Sequence, residues 1–266
     1  MRSSAGITGL AAVLAGLLLV TACATGDPTG SAPAQAPSEP AHGAAPGATS
    51  PEESAPSALD GCFTASRGTI ETVPDAGGGN LTLAIIGSGP RAVVLSNESD
   101  ENLCSWLPLA ARLSASGYRV VLWDYGGNPA ADELKGLVKR LRSSGATRIV
   151  LLGASEGAKA SLVASARVAP KVQGVVSLSA ESVLAPATVV ADSVRRMRCP
   201  VLLITAEQDP YGSAQAARHF LAEAHVGVKR LVAVPGADHG TALLSGRSGA
   251  TTLPAIVAFL RQVLGR

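Results

Sequence analysis

Continuous apolar runs that alternate with amphipathic helical stretches constrain the fold of this chain more than any other feature. The apolar runs cover residues 81–86, 92–95, 120–123, 149–152, 172–178, 201–205 and 230–234. They lack the alternation of polar and apolar residues that marks a half-exposed strand, so these strands are buried on both faces. Helical spacing of apolar residues separates most of them. The pattern predicts an α/β domain: a mostly parallel, doubly wound sheet with helices on both faces.

The first 57 residues differ from the rest of the chain. Residues 1–22 have the pattern of an export signal, with Arg2 followed by a short apolar run, and the sequence 20–23 ends in Cys23. This end resembles the lipobox of bacterial lipoproteins, which implies lipidation of Cys23. An ordinary secretory signal with an incidental cysteine is the alternative. Residues 23–57 are rich in Ala, Pro, Gly and Ser and predict a disordered tether. Residues 58–266 then suit one folded domain.

Composition excludes several classes of function. The formal net charge is +2 with both signs interspersed, and no basic stripe indicates nucleic-acid binding. In the folded part no Cys or His has the close spacing of a metal site, so we expect neither metal nor cofactor. With Cys23 lipidated, three cysteines remain. The favoured pairing is a Cys62–Cys104 disulfide, with Cys199 a buried free thiol.

In parallel sheets, function resides in the loops at the carboxyl ends of the strands. The run 149–152 leads into Gly153-Ala154-Ser155-Glu156-Gly157, a G-x-S-x-G pentapeptide followed at once by a helical stretch. This context predicts a strained turn that exposes Ser155 as a nucleophile. The backbone N–H of Glu156 at the helix N-terminus would form one half of an oxyanion hole, and the Glu156 side chain is expected to face solvent.

Two further strand ends supply partners for Ser155. Asp209 follows the run 201–205, and His239 follows the run 230–234. The chain order Ser, Asp, His is the order found in α/β-hydrolases. We expect the Ser155 hydroxyl and His239 to lie at about hydrogen-bond distance, ~2.6–3.2 Å or longer in an empty site. Glu181, just after the run 172–178, is the alternative acid.

The remaining candidates have simpler interpretations. Asp238 is expected to serve loop structure beside His239. His219 and His225 lie on or just beyond a predicted helix and are expected on the surface, and His42 lies in the tether.

Residues from about 80 to the end resemble an α/β-hydrolase of the serine esterase type. The similarity includes the run 93–95 before the oxyanion loop, WLPLA at 106–110, GYRV at 117–120, DYGG at 124–127, the GASEG elbow and the loops of Asp209 and His239. The resemblance implies hydrolysis through an acyl-Ser155 intermediate, with His239 as general base and then acid and Asp209 orienting its ring.

One segment departs from that family. Many members have His-Gly after the first core strand, whereas this chain has Ser96-Asn97-Glu98-Ser99-Asp100. The second oxyanion donor is expected to be the backbone N–H of Glu98 or Ser99. The two carboxylates of this segment would oppose a developing oxyanion unless they point away from it.

The short connection after residue 178 leaves no room for a large cap domain, so the site is expected to be open. The substrate predicted is a small-molecule carboxylic ester or thioester, at an extracytoplasmic, membrane-anchored location. Two competing interpretations remain open. One is a weakly active or inactive α/β-hydrolase-fold lipoprotein that serves as a binding module. The other is a structural lipoprotein of unrelated doubly wound fold.

Overall fold

The computed structural model describes residues 58–75 and 77–265. The predictions for the export signal, Cys23, His42 and the tether therefore lie outside the described residues. Six α-helices follow one another in the described part: α1 Leu107–Ala115, α2 Ala130–Ser143, α3 Glu156–Arg167, α4 Val190–Arg196, α5 Ser213–Glu223 and α6 Gly246–Leu264. Two 3-10 helices, Leu103–Trp106 and Gly240–Leu244, precede α1 and α6.

The strands form one large sheet and two small hairpins. They are β1 Ala58–Leu59, β2 Phe63–Thr64, β3 Thr69–Pro74, β4 Asn80–Ile86, β5 Arg91–Ser96, β6 Arg119–Trp123, β7 Arg148–Ala154, β8 Gly174–Leu178, β9 Val183–Leu184, β10 Thr188–Val189, β11 Val201–Ala206 and β12 Lys229–Val234. The large sheet has eight strands in the order β12-β11-β8-β7-β5-β6-β4-β3. Only β4 runs opposite to the other strands, pairing antiparallel with β3 and β6, so the prediction of a mostly parallel sheet is confirmed.

The six inner strands of the sheet are buried on both faces, which explains why they are continuously apolar, whereas the edge strands β3 and β12 are partly exposed. Side chains of one face, such as Val94 and Leu151, pack with residues of α2 to α5. Side chains of the other face, such as Val93 and Leu152, pack with residues of α1 and α6. Successive residues of a strand thus enter opposite cores, as the pleat requires.

Some boundaries differ from those predicted. The edge strand β3 was not predicted, because its residues are largely exposed and give no continuous apolar run. The predicted strand over 172–178 begins only at Gly174, and the helix expected from residue 188 begins at Val190 because 188–189 pair as β10. Between β8 and α4 the chain contains only the β9–β10 hairpin, so the absence of a large cap is confirmed for the described residues.

The cysteines pair as predicted. Cys62 and Cys104 form a disulfide with a sequence separation of 42, and Cys199 is a buried free thiol. Burial raises the pKa of Cys199 to about 11, so the thiol stays protonated and unreactive at neutral pH. Among the described residues, no helix is long and apolar enough to cross a bilayer.

Candidate active site

Ser155 occupies a strained turn between β7 and α3. Its backbone has φ 48° and ψ −112°, a positive φ that a residue with a side chain rarely adopts and that costs about 1–3 kcal/mol. The Ser155 N–H donates to the carbonyl oxygen of Leu178 at 2.9 Å, which fixes the turn to the end of β8. The sheet and the following helix therefore hold the serine in a conformation that its own preferences disfavour.

The two glycines of the pentapeptide are required by close backbone contacts. A Cβ atom at Gly157 would overlap the carbonyl groups of Ser96 and Asn97, and one at Gly153 would overlap the backbone of Gly157. The Gly157 N–H donates to the Asn97 carbonyl oxygen at 2.9 Å. The turn at Ser155 and the loop after β5 are thus packed backbone against backbone, as the sequence pattern predicts.

Asp209 and His239 lie in the loops after β11 and β12 and contact each other directly. His239 Nδ1 is 2.8 Å from Asp209 Oδ2, and the Asp209 side chain is fully buried. The same carboxylate accepts hydrogen bonds from the Ser213 hydroxyl at 2.5 Å and the Tyr211 N–H at 2.9 Å. Burial works to raise the pKa of Asp209, but these donors and His239 outweigh it, so the pKa lies below its usual value. Asp209 is therefore held as a carboxylate that fixes the ring of His239.

Glu181 lies between Ser155 and His239. The Ser155 hydroxyl donates to Glu181 Oε1 at 3.1 Å, and the same oxygen is 3.5 Å from His239 Nε2. The direct Ser155–His239 hydrogen bond expected from the sequence is absent from the described residues, because Glu181 Oε1 accepts the serine proton instead. The alternative in which Glu181 replaces Asp209 is not what the contacts support, since Asp209 binds Nδ1 and Glu181 faces Nε2.

Lys159 joins two carboxylates beside the serine. Its ammonium lies 2.7 Å from Glu181 Oε2 and 3.0 Å from Glu156 Oε2. Burial works to lower the pKa of Lys159, but hydrogen bonds and charges from Glu181 and Glu156 outweigh it and raise the pKa above its ordinary value. The Glu156 side chain is only 19% exposed, so the expectation that it faces solvent was wrong. Lys159 was not predicted as a site residue, and its only sequence signal is its position one helical turn after Ser155.

The candidate oxyanion donors lie where the start of α3 meets the loop after β5. Glu156 is the first residue of α3, so its N–H has no acceptor within the helix. Glu98 and Ser99 lie in the loop directly after β5, with Glu98 buried and Ser99 exposed. Which of these two N–H groups acts as the second donor stays a prediction.

The Glu98 carboxylate is directed toward the loop of His239. Glu98 Oε1 accepts hydrogen bonds from the Thr241 N–H at 2.7 Å and the Thr241 hydroxyl at 2.6 Å. A Cβ atom at Gly240 would overlap this carboxylate, so the loop requires glycine there, at φ 54°. Glu98 therefore joins the loop after β5 to the loop that contains His239, and Thr241 is its hydrogen-bond partner there.

A second polar network holds the loop after β5 through Asn97. The Asn97 amide donates to Asp124 Oδ1 at 2.5 Å, and the Tyr125 hydroxyl donates to the Asn97 carbonyl oxygen at 2.5 Å. Burial, followed by the hydrogen bond and charge of Asp60, raises the pKa of Asp124 to about 7. The DYGG motif contains Asp124 and Tyr125, but the sequence alone did not predict that they hold the oxyanion loop.

The remaining predicted residues lie at the periphery. Asp238 is exposed and accepts a hydrogen bond from the Ser248 hydroxyl at 2.6 Å, in keeping with its interpretation as loop structure. His219 and His225 are exposed on and after α5. Tyr211, which the sequence analysis did not select, places its ring 4.5 Å from that of His239 and is 66% exposed. No cluster of His, Cys, Asp or Glu in the described part of the chain has the arrangement of a metal site.

Solved structures with the same arrangement of strands and helices identify the fold. An esterase of Pyrococcus furiosus superimposes with a TM-score of 0.62 at 14% identity, over 74% of this chain and 91% of that one. An enol-lactonase from Burkholderia xenovorans gives 0.60 at 16% identity, over 71% and 99%. The chain has the α/β-hydrolase fold.

Further comparisons agree with this fold. A monoacylglycerol lipase of Paleococcus ferrophilus gives a TM-score of 0.60 at 18% identity, over 68% of this chain and 98% of that one. No protein-family model and no curated protein matches the chain. Ser155, Asp209 and His239 follow β7, β11 and β12, in the chain order Ser, Asp, His that α/β-hydrolase triads have.

Proposed function

We propose that this domain is a serine hydrolase that cleaves carboxylic ester or thioester bonds through an acyl-Ser155 intermediate. The observation that carries the proposal is that Ser155 and His239 contact the same atom. Glu181 Oε1 lies 3.1 Å from Ser155 Oγ and 3.5 Å from His239 Nε2. On the opposite side of the imidazole, Asp209 Oδ2 lies 2.8 Å from His239 Nδ1. We therefore assign the roles of nucleophile, base and orienting carboxylate to Ser155, His239 and Asp209, which follow β7, β12 and β11; Glu181 follows β8, the strand between β7 and β11.

The chemistry follows the triad. The Ser155 Oγ attacks the substrate carbonyl carbon while its proton passes to His239 Nε2. The bond from the carbonyl carbon to the leaving oxygen or sulfur then breaks, and the leaving group takes the proton from Nε2. Water repeats both steps on the acyl-enzyme and releases the acid. Asp209 stabilises the imidazolium that forms twice in this cycle, and the N–H groups of Glu156 and of Glu98 or Ser99 bind the oxyanion.

The open surroundings of the site support small or exposed acyl groups as substrates. The connection between β8 and α4 contains the β9–β10 hairpin, whose two strands have two residues each, and no helical cap. A cavity of about 560 Å³ lies beside α2, and none of its lining residues is a candidate site residue. The proposed substrates are therefore small or exposed acyl groups and not the long acyl chains that a covered, elongated lipase pocket binds.

A fluorophosphonate probe tests whether Ser155 is an activated nucleophile. The purified domain from residue 58 is incubated with the probe, and the adduct is located by peptide mass spectrometry, with Ser155→Ala as control. An adduct on Ser155 that is lost in the variant supports the proposal. A folded protein that gives no adduct, in the wild type and in Glu181→Ala alike, contradicts it.

The alternative of an inactive binding module is favoured by one observation, the interposed carboxylate of Glu181. A serine whose proton is donated to a carboxylate rather than to the imidazole is not activated in that geometry. The probe experiment separates the two functions when Glu181→Ala is included, because a binding module leaves Ser155 unlabelled in the wild type and in that variant.

We also propose that the domain is exported and anchored to the membrane through lipid on Cys23. This proposal stands on the sequence of residues 1–23, and the Cys62–Cys104 disulfide supports an oxidising location. The Cys23→Ala protein, expressed in a bacterial host, should leave the membrane fraction. Unchanged retention in the membrane would contradict the anchor.

A further inference from the structure

The position of Glu181 raises the question of what its carboxylate binds during turnover. Its Oε1 atom accepts the Ser155 hydroxyl at 3.1 Å, and its Oε2 atom contacts Lys159 at 2.7 Å. Once Ser155 is acylated, the serine has no proton left to donate. Glu181 Oε1 then loses the Ser155 hydroxyl as its hydrogen-bond donor. The loss is unfavourable because the Glu181 side chain is charged and only 22% exposed.

The charge around the serine favours a cationic replacement. Lys159 is shared between Glu156 and Glu181, so this group of three carries one more negative than positive charge. Asp209 adds a further carboxylate on the other side of His239. The net negative charge of these groups therefore favours the binding of a cationic acyl group and disfavours an anionic one.

Geometry indicates where such a cation would lie. In an acyl-enzyme, a nitrogen on the carbon next to the carbonyl is three bonds from Ser155 Oγ. Glu181 Oε1 lies 3.1 Å from the same Oγ, so rotation about the bond between the carbonyl carbon and the next carbon can bring such a nitrogen within hydrogen-bond distance of Oε1. An ammonium group on that carbon would take the place of the serine hydroxyl as the donor to Glu181.

We propose that Glu181 binds the ammonium group of a cationic acyl substrate, such as an aminoacyl ester, and that this binding releases the Ser155 hydroxyl to His239. The inference rests on the proposed hydrolase function. Before the substrate binds, Glu181 keeps the serine proton away from the base. When the ammonium donates to Oε1, the hydroxyl turns to Nε2, and the serine becomes a nucleophile only for a substrate of the right charge.

The covalent steps are those of the proposed hydrolysis and need no further reactant. The Ser155 proton goes to His239 Nε2 as Oγ bonds the carbonyl carbon, and the alcohol leaves with that proton. The ammonium keeps its protons throughout and acts by charge and hydrogen bonding alone. Glu181 is therefore a residue of substrate recognition, not a proton carrier.

Two esters of equal size test this inference. The benzyl ester of alanine and the benzyl ester of 2-methylpropanoic acid differ in having an ammonium or a methyl group on the same carbon, and release of benzyl alcohol measures both. Wild-type protein should show kcat/KM at least about tenfold higher for the alanine ester, because a hydrogen bond to a charged partner is involved. Glu181→Ala should bring the ratio to about one, by slowing the alanine ester and accelerating the neutral one.

Two variants complete the test. Glu181→Gln keeps the shape and an acceptor for Ser155 but removes the charge, so it should lose the preference without accelerating the neutral ester. Glu207→Gln removes an exposed carboxylate two residues before Asp209 and should keep the wild-type ratio. Circular dichroism confirms that each variant is folded.

The outcomes separate this inference from the proposed function. Equal kcat/KM for the two esters in wild-type protein, with both rates abolished in Ser155→Ala, would overturn the role of Glu181 and leave the hydrolase intact. No hydrolysis of either ester and no fluorophosphonate adduct, in wild-type protein and in Glu181→Ala alike, would overturn the hydrolase and this inference with it.

Discussion

The backbone N–H of Gly157 donates to the carbonyl oxygen of Asn97 at 2.9 Å, and this contact joins the turn at Ser155 to the loop after β5. The two residues are 60 positions apart in the chain, on the helix after β7 and in the loop after β5. Because β5 and β7 are adjacent parallel strands, their ends lie together at one edge of the sheet. The contact leaves no space for a side chain at position 157.

The first prediction concerns this contact. Gly157→Ala places a Cβ atom against the carbonyl groups of Ser96 and Asn97, so the free energy of unfolding should fall by about 1–3 kcal/mol. Ester hydrolysis should fall with it, because the oxyanion loop must move. Gly136→Ala in α2 is the matched control, since nothing lies within 4 Å of its added Cβ atom. It should raise stability by about 0.5–1 kcal/mol and leave activity unchanged. Equal unfolding midpoints for the two variants in urea would contradict the prediction.

The second prediction concerns the orienting carboxylate. Asp209→Asn keeps the size of the side chain but replaces the carboxylate that accepts from His239 Nδ1, Ser213 and Tyr211. The imidazolium loses its stabilising charge and the ring can present the wrong tautomer, so kcat should fall by about 10³–10⁴-fold with a small change in KM. Steady-state kinetics on the ester that wild-type protein cleaves measures this. Asp238→Asn, which removes the neighbouring carboxylate on the same loop as His239, should retain most of the activity. Similar losses in both variants would exclude a specific role for Asp209.

The third prediction concerns the pH dependence of stability. The pKa of Asp124 is raised to about 7 by burial and by Asp60, against an ordinary value of 3.8. Between these two values the folded state binds more protons at this site than the unfolded state does. The contribution of Asp124 to the free energy of unfolding should therefore fall as pH rises from about 4 to about 7.

Asp124→Asn isolates that contribution. The difference in unfolding free energy between the variant and wild-type protein should shift in favour of the variant as pH rises through this interval, and urea titrations at pH 4, 5.5 and 8 measure it. Asp100→Asn, which removes an exposed carboxylate from the neighbouring loop, controls for the loss of one charge. A difference that does not change with pH would show that Asp124 is not titrating in this interval.

The fourth prediction concerns the disulfide. The Cys62–Cys104 bond closes a segment with a sequence separation of 42, and a loop of this length corresponds to about 4 kcal/mol through restriction of the unfolded chain. The double variant Cys62→Ser/Cys104→Ser should lose stability by about this amount, measured by urea unfolding. Added reductant should lower the midpoint of wild-type protein and leave the double variant unaffected. A response of the double variant to reductant would point to another cause.

The sequence predicted the parts of this protein that depend on local pattern. Continuous apolar runs separated by helical stripes determine a parallel sheet, because only strands covered on both faces lack polar alternation. Parallel strands end at the same edge of a sheet. The sequence therefore predicts that the pentapeptide around Ser155 lies near Asp209 and His239, which follow two later strands. The contact between Asp209 and His239 is a consequence of that topology.

The tertiary structure decided what lies between those residues. The edge strand β3 has no periodic apolar signal, and only its pairing with β4 reveals it. Glu156 and Lys159 lie on α3, whereas Glu181 follows β8. Only the packing of α3 beside the end of β8 brings these three charged groups to the Ser155 hydroxyl. Glu98 likewise meets Thr241 across 143 positions of sequence. Local pattern determines which residues stand at a strand end, but hydrogen bonds between distant loops determine which atom each of them contacts, and no spacing in the sequence encodes that choice.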